Sequence, residues 1–327
     1  MPTDEKNSEK AGDKRFPKTD VCIPVYRPGE KYERLLYMLS KQTVSVSSVI
    51  CMYTKENDDD HYADRNIDSH SLDIRVFELD KKDFDHGKTR NEAAKRSDAD
   101  IMVFMTDDAV PADERLIENL IKGLSFDEKA AICYARQLPS ETSSLAECFS
   151  RGFNYGDERR VKTEEDIKTL GIKAFFCSNV CAAYKKDVFE SLGGFVDHTI
   201  FNEDMIYARK VLKNGYSIVY EPDAAVVHSH DYKNIEQLRR NFDLAISQKL
   251  HPEAFSGISS ESEGLRYIKA AASYMRNRKK SYLMVPFMIT SVYKYAGYRL
   301  GKNYDRLPKG LVDRLTMNRT FFDNKGA

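Results

Sequence analysis

Apolar and polar positions along the chain predict strands and helices in turn up to about residue 135. Short apolar or alternating runs predict strands at residues 20–25, 48–53, 72–79, 101–105 and 130–135. Between them, leucine and isoleucine residues at helical spacing predict helices around Leu36 and Leu120. The segment Thr89-Arg90-Asn91-Glu92 has the form of a capping box, so another helix is predicted to open there. This order favours an α/β fold with a doubly wound, mostly parallel sheet.

The pattern in the next part of the chain is less regular. Residues 140–173 are polar with scattered aromatic side chains, which predicts a loop or a lid. A helix is predicted after Asn202, which would cap it. Two further strands are predicted at residues 217–220 and 224–227, and the second leads into the segment His228-Ser229-His230.

A pair of adjacent carboxylates follows the most apolar of these strands. Residues 101–105 are all apolar, and Asp107 and Asp108 come shortly after them. Open α/β sheets bind ligands at the carboxyl ends of their parallel strands. The two acids therefore predict a site for Mg²⁺ or Mn²⁺ carrying a phosphate. The alternative is a turn with two solvated acids, and this segment alone does not decide between them.

Other acids and two histidines are candidates for the same chemistry. Glu203 and Asp204 stand at a predicted helix start, where the helix dipole alone also favours acids. His228 and His230 are two residues apart after a strand, so they point the same way and could share a ligand. The alternative for this pair is two ordinary surface histidines.

Two cations near a predicted helix start are candidate phosphate ligands. Lys88 and Arg90 lie beside Thr89, and phosphate oxygens bind well at helix N-termini. A solvated helix face is the alternative. The chain contains no Gly-x-Gly-x-x-Gly segment and no P-loop, which weakens dehydrogenase and kinase interpretations.

Composition is that of a globular protein. The chain has 327 residues and 41% hydrophobic content, enough for a large core. Residues 1–18 are polar and charged, so we expect a disordered lead-in and no signal peptide. The six cysteines mostly lie in apolar runs, and they do not have the spacing of zinc-finger ligands. We therefore expect buried free thiols in a reducing cytoplasm and no zinc site.

The net charge is zero, but the charges are unevenly distributed. Residues 265–327 contain 14 Lys or Arg and three acids, so they carry +11 and the rest of the chain −11. Such a basic segment predicts contact with an anionic surface. Within it, residues 282–293 are largely apolar but too few to span a bilayer, which takes about 20 residues. We expect an interfacial membrane anchor; the alternative is helices that pack on the rest of the protein or on a second copy.

Several segments between residues 19 and 322 occur in an order that indicates a known family. They include a Pro-x-Tyr turn after the first strand and a Gly-Gly-Phe, and the most specific lie at residues 84–91 (FDHGKTRN), 105–111 (MTDDAVP), 202–204 (NED), 227–230 (VHSH) and 294–302 (KYAGYRLGK). Together they resemble the inverting glycosyltransferases of family 2, which have the GT-A fold. Within that family, the chain is similar to bacterial rhamnosyltransferases that use dTDP-L-rhamnose.

The resemblance implies a nucleotide-sugar site. Pro24 and Tyr26 would line the pocket for the base, and Arg27 belongs to the same nucleotide-sugar-binding set. Lys88 and Arg90 would approach the nucleotide or its diphosphate. Relatives often place a base-reading aspartate where this chain has the segment Tyr53-Thr54-Lys55-Glu56, so the nucleobase stays open and a UDP-sugar is the alternative donor.

The resemblance also implies a metal site. The family's Asp-x-Asp position is occupied here by Thr106-Asp107-Asp108, whose first member is Thr. Asp108 would therefore be the metal ligand for Mg²⁺ or Mn²⁺, and Asp107 would face the ribose or the metal. His228 or His230 would complete the metal shell.

Catalysis in this family would use a carboxylate rather than a covalent intermediate. Asp204 would be the general base, and Glu203 would steer the acceptor or the base. The expected reaction moves a deoxyhexose onto a lipid-linked or growing cell-surface polysaccharide, with a polyprenyl-diphosphate-linked acceptor. Two other classes stay open: a sugar nucleotidyltransferase, which usually opens with a Gly-rich loop absent here, and a non-catalytic membrane-attached carbohydrate-binding module.

The expected organisation has three parts. A GT-A domain covers residues 19–250, with a nucleotide-binding half to about residue 135 and an acceptor half from about residue 136. A basic, amphipathic helical extension covers residues 251–327. We expect a cytoplasmic protein at the inner face of the cell membrane, without a nucleic-acid partner. Assembly into homo-oligomers stays open.

Overall fold

The computed structural model describes residues 16–230, 232–258 and 261–323, so most of the predicted lead-in lies outside the described residues. In that part of the chain nine strands form one sheet: β1 Thr19–Val25, β2 Ser48–Lys55, β3 Ile74–Asp80, β4 Ile101–Met105, β5 Val110–Pro111, β6 Ala130–Leu138, β7 Arg160–Lys162, β8 Cys181–Lys185 and β9 Ser217–Val227. The α-helices are α1 Glu30–Ser40, α2 His86–Arg96, α3 Leu116–Phe126, α4 Leu145–Asn154, α5 Ile167–Leu170, α6 Lys186–Ser191, α7 Glu203–Lys213, α8 Asn234–Leu250, α9 Pro252–Phe255, α10 Glu261–Asn277, α11 Met284–Lys302, α12 Lys309–Leu315 and α13 Thr320–Asp323.

The sheet is parallel in its first half and mixed in its second. Its strand order is β3-β2-β1-β4-β8-β6-β9-β5, and β7 pairs with β9 beside this path. Strands β1 to β4 pair in parallel, as do β6 and β9. Strand β8 runs antiparallel between β4 and β6. The predicted α/β class is confirmed, with the parallel arrangement concentrated in the first four strands.

The core lies on both faces of the sheet because the central strands are buried on both sides. Along β4, Met102 and Phe104 join a cluster with α2, α6 and α7, whereas Ile101, Val103 and Met105 join a cluster with α1 and α3. Side chains alternate between faces along a strand, so a strand covered on both faces must be apolar throughout. This explains why residues 101–105 read as an unbroken apolar run.

The helix predicted to open at Thr89 begins one turn earlier. Helix α2 starts at His86, and its cap is Asp85. One carboxylate oxygen of Asp85 accepts hydrogen bonds from the backbone N–H groups of Gly87 (3.0 Å) and Lys88 (2.8 Å). The hydroxyl of Thr89 accepts one from the N–H of Asp85 (3.2 Å). The capping-box prediction was wrong because an aspartate at the cap satisfies the free N–H groups directly.

The prediction of a loop or lid at residues 140–173 was also wrong. This stretch contains helix α4, strand β7 and helix α5. The apolar side of α4, with Phe149 and Phe153, packs on Tyr267 of α10 and Phe287 of α11. Because its partners lie more than a hundred residues away, the local sequence looks more polar than its environment is.

The two strands predicted at residues 217–220 and 224–227 are one continuous strand, β9. In its pairing with β6, Ala135 faces Glu221 and Arg136 faces Ala225, so residues 222–224 form a bulge. Such a bulge accommodates Pro222, which cannot donate to the ladder. All six cysteines are free thiols and five of them are buried, which confirms the expected burial of the thiols; the reducing compartment stays a prediction.

The C-terminal helices pack on the part of the chain that precedes them. Helix α11 lies along α8, and a Cβ atom at Gly297 or Gly301 would lie about 2.1 Å from the carbonyl oxygen of Leu238 or 2.2 Å from that of Phe242. The two backbones therefore approach as closely as only glycine allows. In the described residues, no helix is both long and apolar enough to cross a membrane. The domain boundary at residue 250 stays a prediction.

We predict that Gly297→Ala lowers the free energy of unfolding by about 1–3 kcal/mol, because the added methyl group separates two packed helices. Denaturant unfolding followed by circular dichroism measures the change. Gly310→Ala is the matched control, since a Cβ at that helical glycine would meet no atom within 4 Å. Equal stabilities of the two variants would contradict the close packing of α11 on α8.

Candidate active site

The short strand β5 brings the carboxylate turn to the two histidines. Val110 of β5 pairs with Val227, the last residue of β9, and His228 follows directly. The carboxylate of Asp108 then lies 3.4 Å from Nε2 of His228 and 3.2 Å from Nε2 of His230. Ligand atoms of these three residues lie within 4.8 Å of one another. The structure thus brings together the three residues predicted to hold a metal.

The protonation states of these side chains suit the binding of a cation. Burial and the nearby charge of His228 lower the pKa of His230 to about 4, so its imidazole is neutral near pH 7. Burial alone would raise the pKa of Asp108, but its contacts with the two histidines hold it below its usual value. One carboxylate and two imidazole nitrogens form a donor set that a divalent transition-metal ion fits.

A glutamine that the sequence interpretation missed orients His228. Oε1 of Gln137 lies 3.1 Å from Nδ1 of His228 and also accepts a hydrogen bond from Arg151. Because Arg151 can only donate, this Gln137 atom is the oxygen, and Nδ1 of His228 must donate to it. In its neutral form, His228 then presents the lone pair of Nε2 towards Asp108 and His230. Such partners fix the tautomer of metal-binding histidines.

Asp107 does not belong to this cluster of metal-ligand candidates. Its carboxylate accepts a hydrogen bond of 3.0 Å from the backbone N–H of Tyr26, and burial raises its pKa to about 6. The phenol of Tyr26 is partly exposed and accepts a hydrogen bond of 3.1 Å from Nζ of Lys81. Arg27 forms an exposed ion pair with Glu56. The adjacent carboxylates of the turn therefore have different surroundings.

The two acids at the start of α7 also have different surroundings. Glu203 is buried and lies 3.3 Å from Nη1 of Arg90, which is buried as well. Asp204 accepts hydrogen bonds from the N–H groups of Asn179 (3.0 Å) and Met205 (2.7 Å) but has no cationic partner within 4 Å in the described part of the chain. Burial and the charge of Glu203 raise its pKa to about 7, whereas Arg90 and its neighbours lower that of Glu203 despite burial. Asp204 is therefore poised to take up a proton near neutral pH.

Residues 178–180, just before β8, connect the two groups of acids. The N–H of Asn179 donates to Asp204, and its side-chain amide donates to Glu203 (3.1 Å). The carbonyl of Val180 accepts a hydrogen bond of 3.2 Å from Thr106, which precedes the carboxylate turn. One short segment therefore contacts both Asp204 and the carboxylate turn that carries Asp108.

Two cavities lie over this edge of the sheet. The first, about 580 Å³, is lined by the carboxylate turn, both histidines, Val180 and residues 26–32; we call it the metal-side cavity. The second cavity, about 300 Å³, lies at the ends of β1, β2 and β3 and is lined among others by Thr54, Lys81 and Phe201. Tyr26 and Arg240 line both cavities.

Not every candidate residue lies in these cavities. Pro24 lies inside β1, opposite Met52. Lys88 is exposed and lines a third cavity with Asp197. Arg90 is committed to Glu203. The predicted contacts of these three residues with a nucleotide stay predictions.

Three residues of the site were missed as functional candidates. Asn179 is a polar residue inside an apolar run, and that interruption was a usable signal, whereas Gln137 follows Arg136 at the end of such a run. Arg240 lies on α8 among several other charged residues, and its sequence context offers no signal.

Comparison with known proteins now decides the family. The sequence profile of Glycosyl transferase family 2 matches residues 20–193. The chain belongs to this family. It is 35% identical over 312 residues to the O-antigen chain rhamnosyltransferase RfbN of Salmonella typhimurium, with 94% of this chain and 96% of the relative covered. It is 33% identical over 315 residues to the O-antigen chain rhamnosyltransferase WbaN of Salmonella anatum, covering 94% and 97%.

Solved structures agree on the fold of this glycosyltransferase. The mannosyltransferase PcManGT from Pyrobaculum calidifontis, solved with GDP-Man and Mn²⁺, superposes with a TM-score of 0.62 at 16% identity, covering 90% of this chain and 89% of that one. TarS residues 1–349 from S. aureus gives a TM-score of 0.50 at 16% identity, covering 88% and 91%. The predicted GT-A architecture and the enzyme class are therefore confirmed.

We predict that Asp204→Asn stabilises the protein more at pH 8 than at pH 5. The pKa of Asp204 is about 7 in the folded state and about 3.9 when unfolded, so its ionisation increasingly opposes folding as pH rises between those values. Asparagine cannot ionise, so its advantage over the wild type should grow by about 1–3 kcal/mol between the two pH values. Urea unfolding at each pH measures it.

Glu203→Gln provides the contrast. The pKa of Glu203 is lowered, so its ionised form supports folding at neutral pH, and the glutamine leaves Arg90 buried without a counter-ion. This variant should be less stable than the wild type at pH 8. A pH-independent effect of Asp204→Asn, or a stabilising Glu203→Gln, would show that the two acids are not divided in this way.

Proposed function

We propose that this enzyme transfers L-rhamnose from dTDP-L-rhamnose, with inversion, onto a lipid-linked or growing cell-surface polysaccharide. The observation that supports this reaction is that residues 178–180 contact both Asp204 and the carboxylate turn that carries Asp108. The rhamnosyl donor and the polysaccharide acceptor are supported by the two O-antigen chain rhamnosyltransferases, which match over nearly their whole length.

Asp108, His228 and His230 would hold the divalent cation of this reaction. When bound, such an ion neutralises the charge that develops on the departing diphosphate. The two imidazole nitrogens favour Mn²⁺ over Mg²⁺, because Mg²⁺ prefers a shell made of oxygen atoms. Gln137 would keep His228 in the tautomer that can bind the ion, and Asp107 would face the ribose or the ion.

Asp204 would act as the general base. The acceptor hydroxyl is a poor nucleophile, and it loses its proton as it attacks the anomeric carbon. A carboxylate whose pKa is about 7 is a better proton acceptor near neutral pH than an ordinary aspartate. Glu203, held ionised by Arg90, would keep that pKa raised without itself taking the proton.

The nucleoside would occupy the second cavity, and the diphosphate would extend from the junction of the two cavities to the ion in the metal-side cavity. The second cavity lies at the carboxyl ends of three parallel strands, which is the common ligand position in such sheets. Residues 19–135 would thus be the nucleotide-binding half and residues 136–250 the acceptor half. A UDP-sugar is the alternative donor, because this chain has the segment Tyr53-Thr54-Lys55-Glu56 where relatives often place a base-reading aspartate.

We predict deoxyhexose transfer that depends on a divalent ion and on Asp204. The purified enzyme, given dTDP-rhamnose and a panel of polyprenyl-diphosphate-linked saccharides, should add one deoxyhexose to an acceptor, as detected by mass spectrometry. Chelation should abolish transfer and Mn²⁺ should restore it. Asp204→Asn should reduce turnover by about 10²-fold or more, the usual scale for a lost general base, while dTDP binding survives.

Asp187→Asn serves as the matched control, because Asp187 is exposed in the first turn of α6, where it accepts a hydrogen bond from the N–H of Val188, and its loss should leave turnover unchanged. A sugar nucleotide as product would support the nucleotidyltransferase class instead. Undiminished transfer in excess chelator would refute the metal role, and near-normal turnover of Asp204→Asn would leave Asp204 as an ordinary acid at a helix start.

We also propose that the C-terminal helices attach the enzyme to an anionic membrane surface at the inner face of the cell membrane. One face of α11 packs on α8, and the opposite face exposes Tyr282 just before the helix, then Val285, Ile289 and Val292 at helical spacing. Residues 264–304 contain nine Lys or Arg and no acid. Exposed apolar residues together with cations favour binding at the lipid headgroups. Packing on the protein therefore accounts for only one face of this helix.

We predict that the enzyme floats with anionic vesicles in a density gradient and not with neutral vesicles, and that salt reduces recovery, because each cation adds about 1 kcal/mol at most. Val285→Glu together with Val292→Glu should abolish flotation. Phe126→Glu with Leu311→Glu is the matched control, since both residues are exposed elsewhere. Equal recovery from neutral and anionic vesicles, or equal loss in both double variants, would rule out this attachment.

A further inference from the structure

Arg240 on α8 lies at the junction of the two cavities. It lines both the metal-side cavity and the second cavity, and among the described cations it alone does so. It contacts the ring of Phe201, which lines the second cavity, and the ring of Tyr232, which lines the metal-side cavity. Arg240 therefore lies between the metal cluster and the ends of β1 to β3.

The guanidinium of Arg240 is held in place by aromatic rings rather than by an anion. Its central carbon lies 4.8 Å from the ring centroid of Phe201 and 5.6 Å from that of Tyr232. Within the described residues it makes no hydrogen bond and no ion pair. Ring contacts orient an arginine without using its N–H donors, so those donors stay available to a ligand.

The other cations near the two cavities are already engaged. Arg27 is paired with Glu56, and Arg90 is paired with Glu203. Lys81 donates to the hydroxyl of Tyr26, and Lys31 approaches the carbonyl of Ser229 at 3.5 Å. Arg240 is thus the cation in this region with neither an anion nor an oxygen partner among the described residues.

We propose that Arg240 binds the diphosphate of the nucleotide-sugar and stabilises it as it departs. This inference rests on the proposed function, in which the nucleoside and the metal ion occupy the two neighbouring cavities. A nucleoside diphosphate that spans them must place its phosphates at their junction. The planar guanidinium offers a fork of N–H donors that matches phosphate oxygens.

The role follows from the charge balance of the transfer. The bond between the anomeric carbon and the diphosphate oxygen breaks, and its electron pair stays on that oxygen. The acceptor oxygen forms the new bond to the anomeric carbon and gives its proton to Asp204. Negative charge therefore grows on the diphosphate, and a fixed cation beside it lowers the barrier.

The test is nucleotide binding, which is independent of turnover. With Mn²⁺ present, titration calorimetry should show that Arg240→Gln weakens dTDP binding by about 10- to 100-fold, the range for a lost charge-assisted hydrogen bond. Thymidine should bind the variant and the wild type equally, because it carries no phosphate. Arg240→Lys keeps the charge but not the fork and should fall between them.

Arg314→Gln is the control for loss of one positive charge, since Arg314 is exposed on α12 and lines neither cavity. If Arg240→Gln binds dTDP normally but binds a short-chain polyprenyl diphosphate more weakly, the diphosphate that it recognises belongs to the acceptor. Normal binding of both, or equal loss of dTDP and thymidine binding with a lower melting temperature, would overturn the proposal. A wild type that binds no nucleoside diphosphate would instead refute the proposed function.

Discussion

The insertion of β8 as an antiparallel strand between β4 and β6 is the constraint from which the site follows. An antiparallel strand begins where its neighbour ends, so Cys181 pairs with Met105 at the edge where β4 stops. The residues just before β8, Asn179 and Val180, are therefore held against the carboxylate turn that follows β4. Because Asn179 also donates to the acids of α7, one reversal of strand direction connects the parallel half of the sheet to the proposed base.

The site contains two pairs of adjacent carboxylates, and in each pair the surroundings separate the two members. Asp108 is held ionised by histidines, whereas the pKa of Asp107 is raised by burial. Glu203 is held ionised by Arg90, whereas the pKa of Asp204 is raised by burial and by Glu203 itself. In each pair, two adjacent carboxylates thus obtain different proton affinities from their surroundings. Placing like charges side by side costs stability, and such a cost is common where function needs a perturbed group.

How much was predictable depended on whether the deciding contacts were local. The strand at residues 101–105 and the helix around Leu120 could be predicted because burial on two faces, or on one, leaves a regular pattern in the sequence. Helix α4 could not, because its apolar side packs on Tyr267 and Phe287 far along the chain. The acids and histidines could be found because they lie in segments whose order along the chain is typical of the family. Arg240 lies in no such segment.

Helix α8 links the catalytic edge of the sheet to the C-terminal helices. Arg240 faces the two cavities, while Leu238 and Phe242, two residues to either side, are in contact with the glycines of α11. A helix held this closely on one side cannot shift without moving its other side, because packed interiors deform little. The exposed face of α11 and the cation at the cavity junction therefore keep a fixed relation to each other. For an acceptor whose sugar is attached to a membrane lipid, that rigid relation would set the height of the active site above the surface where the acceptor is anchored.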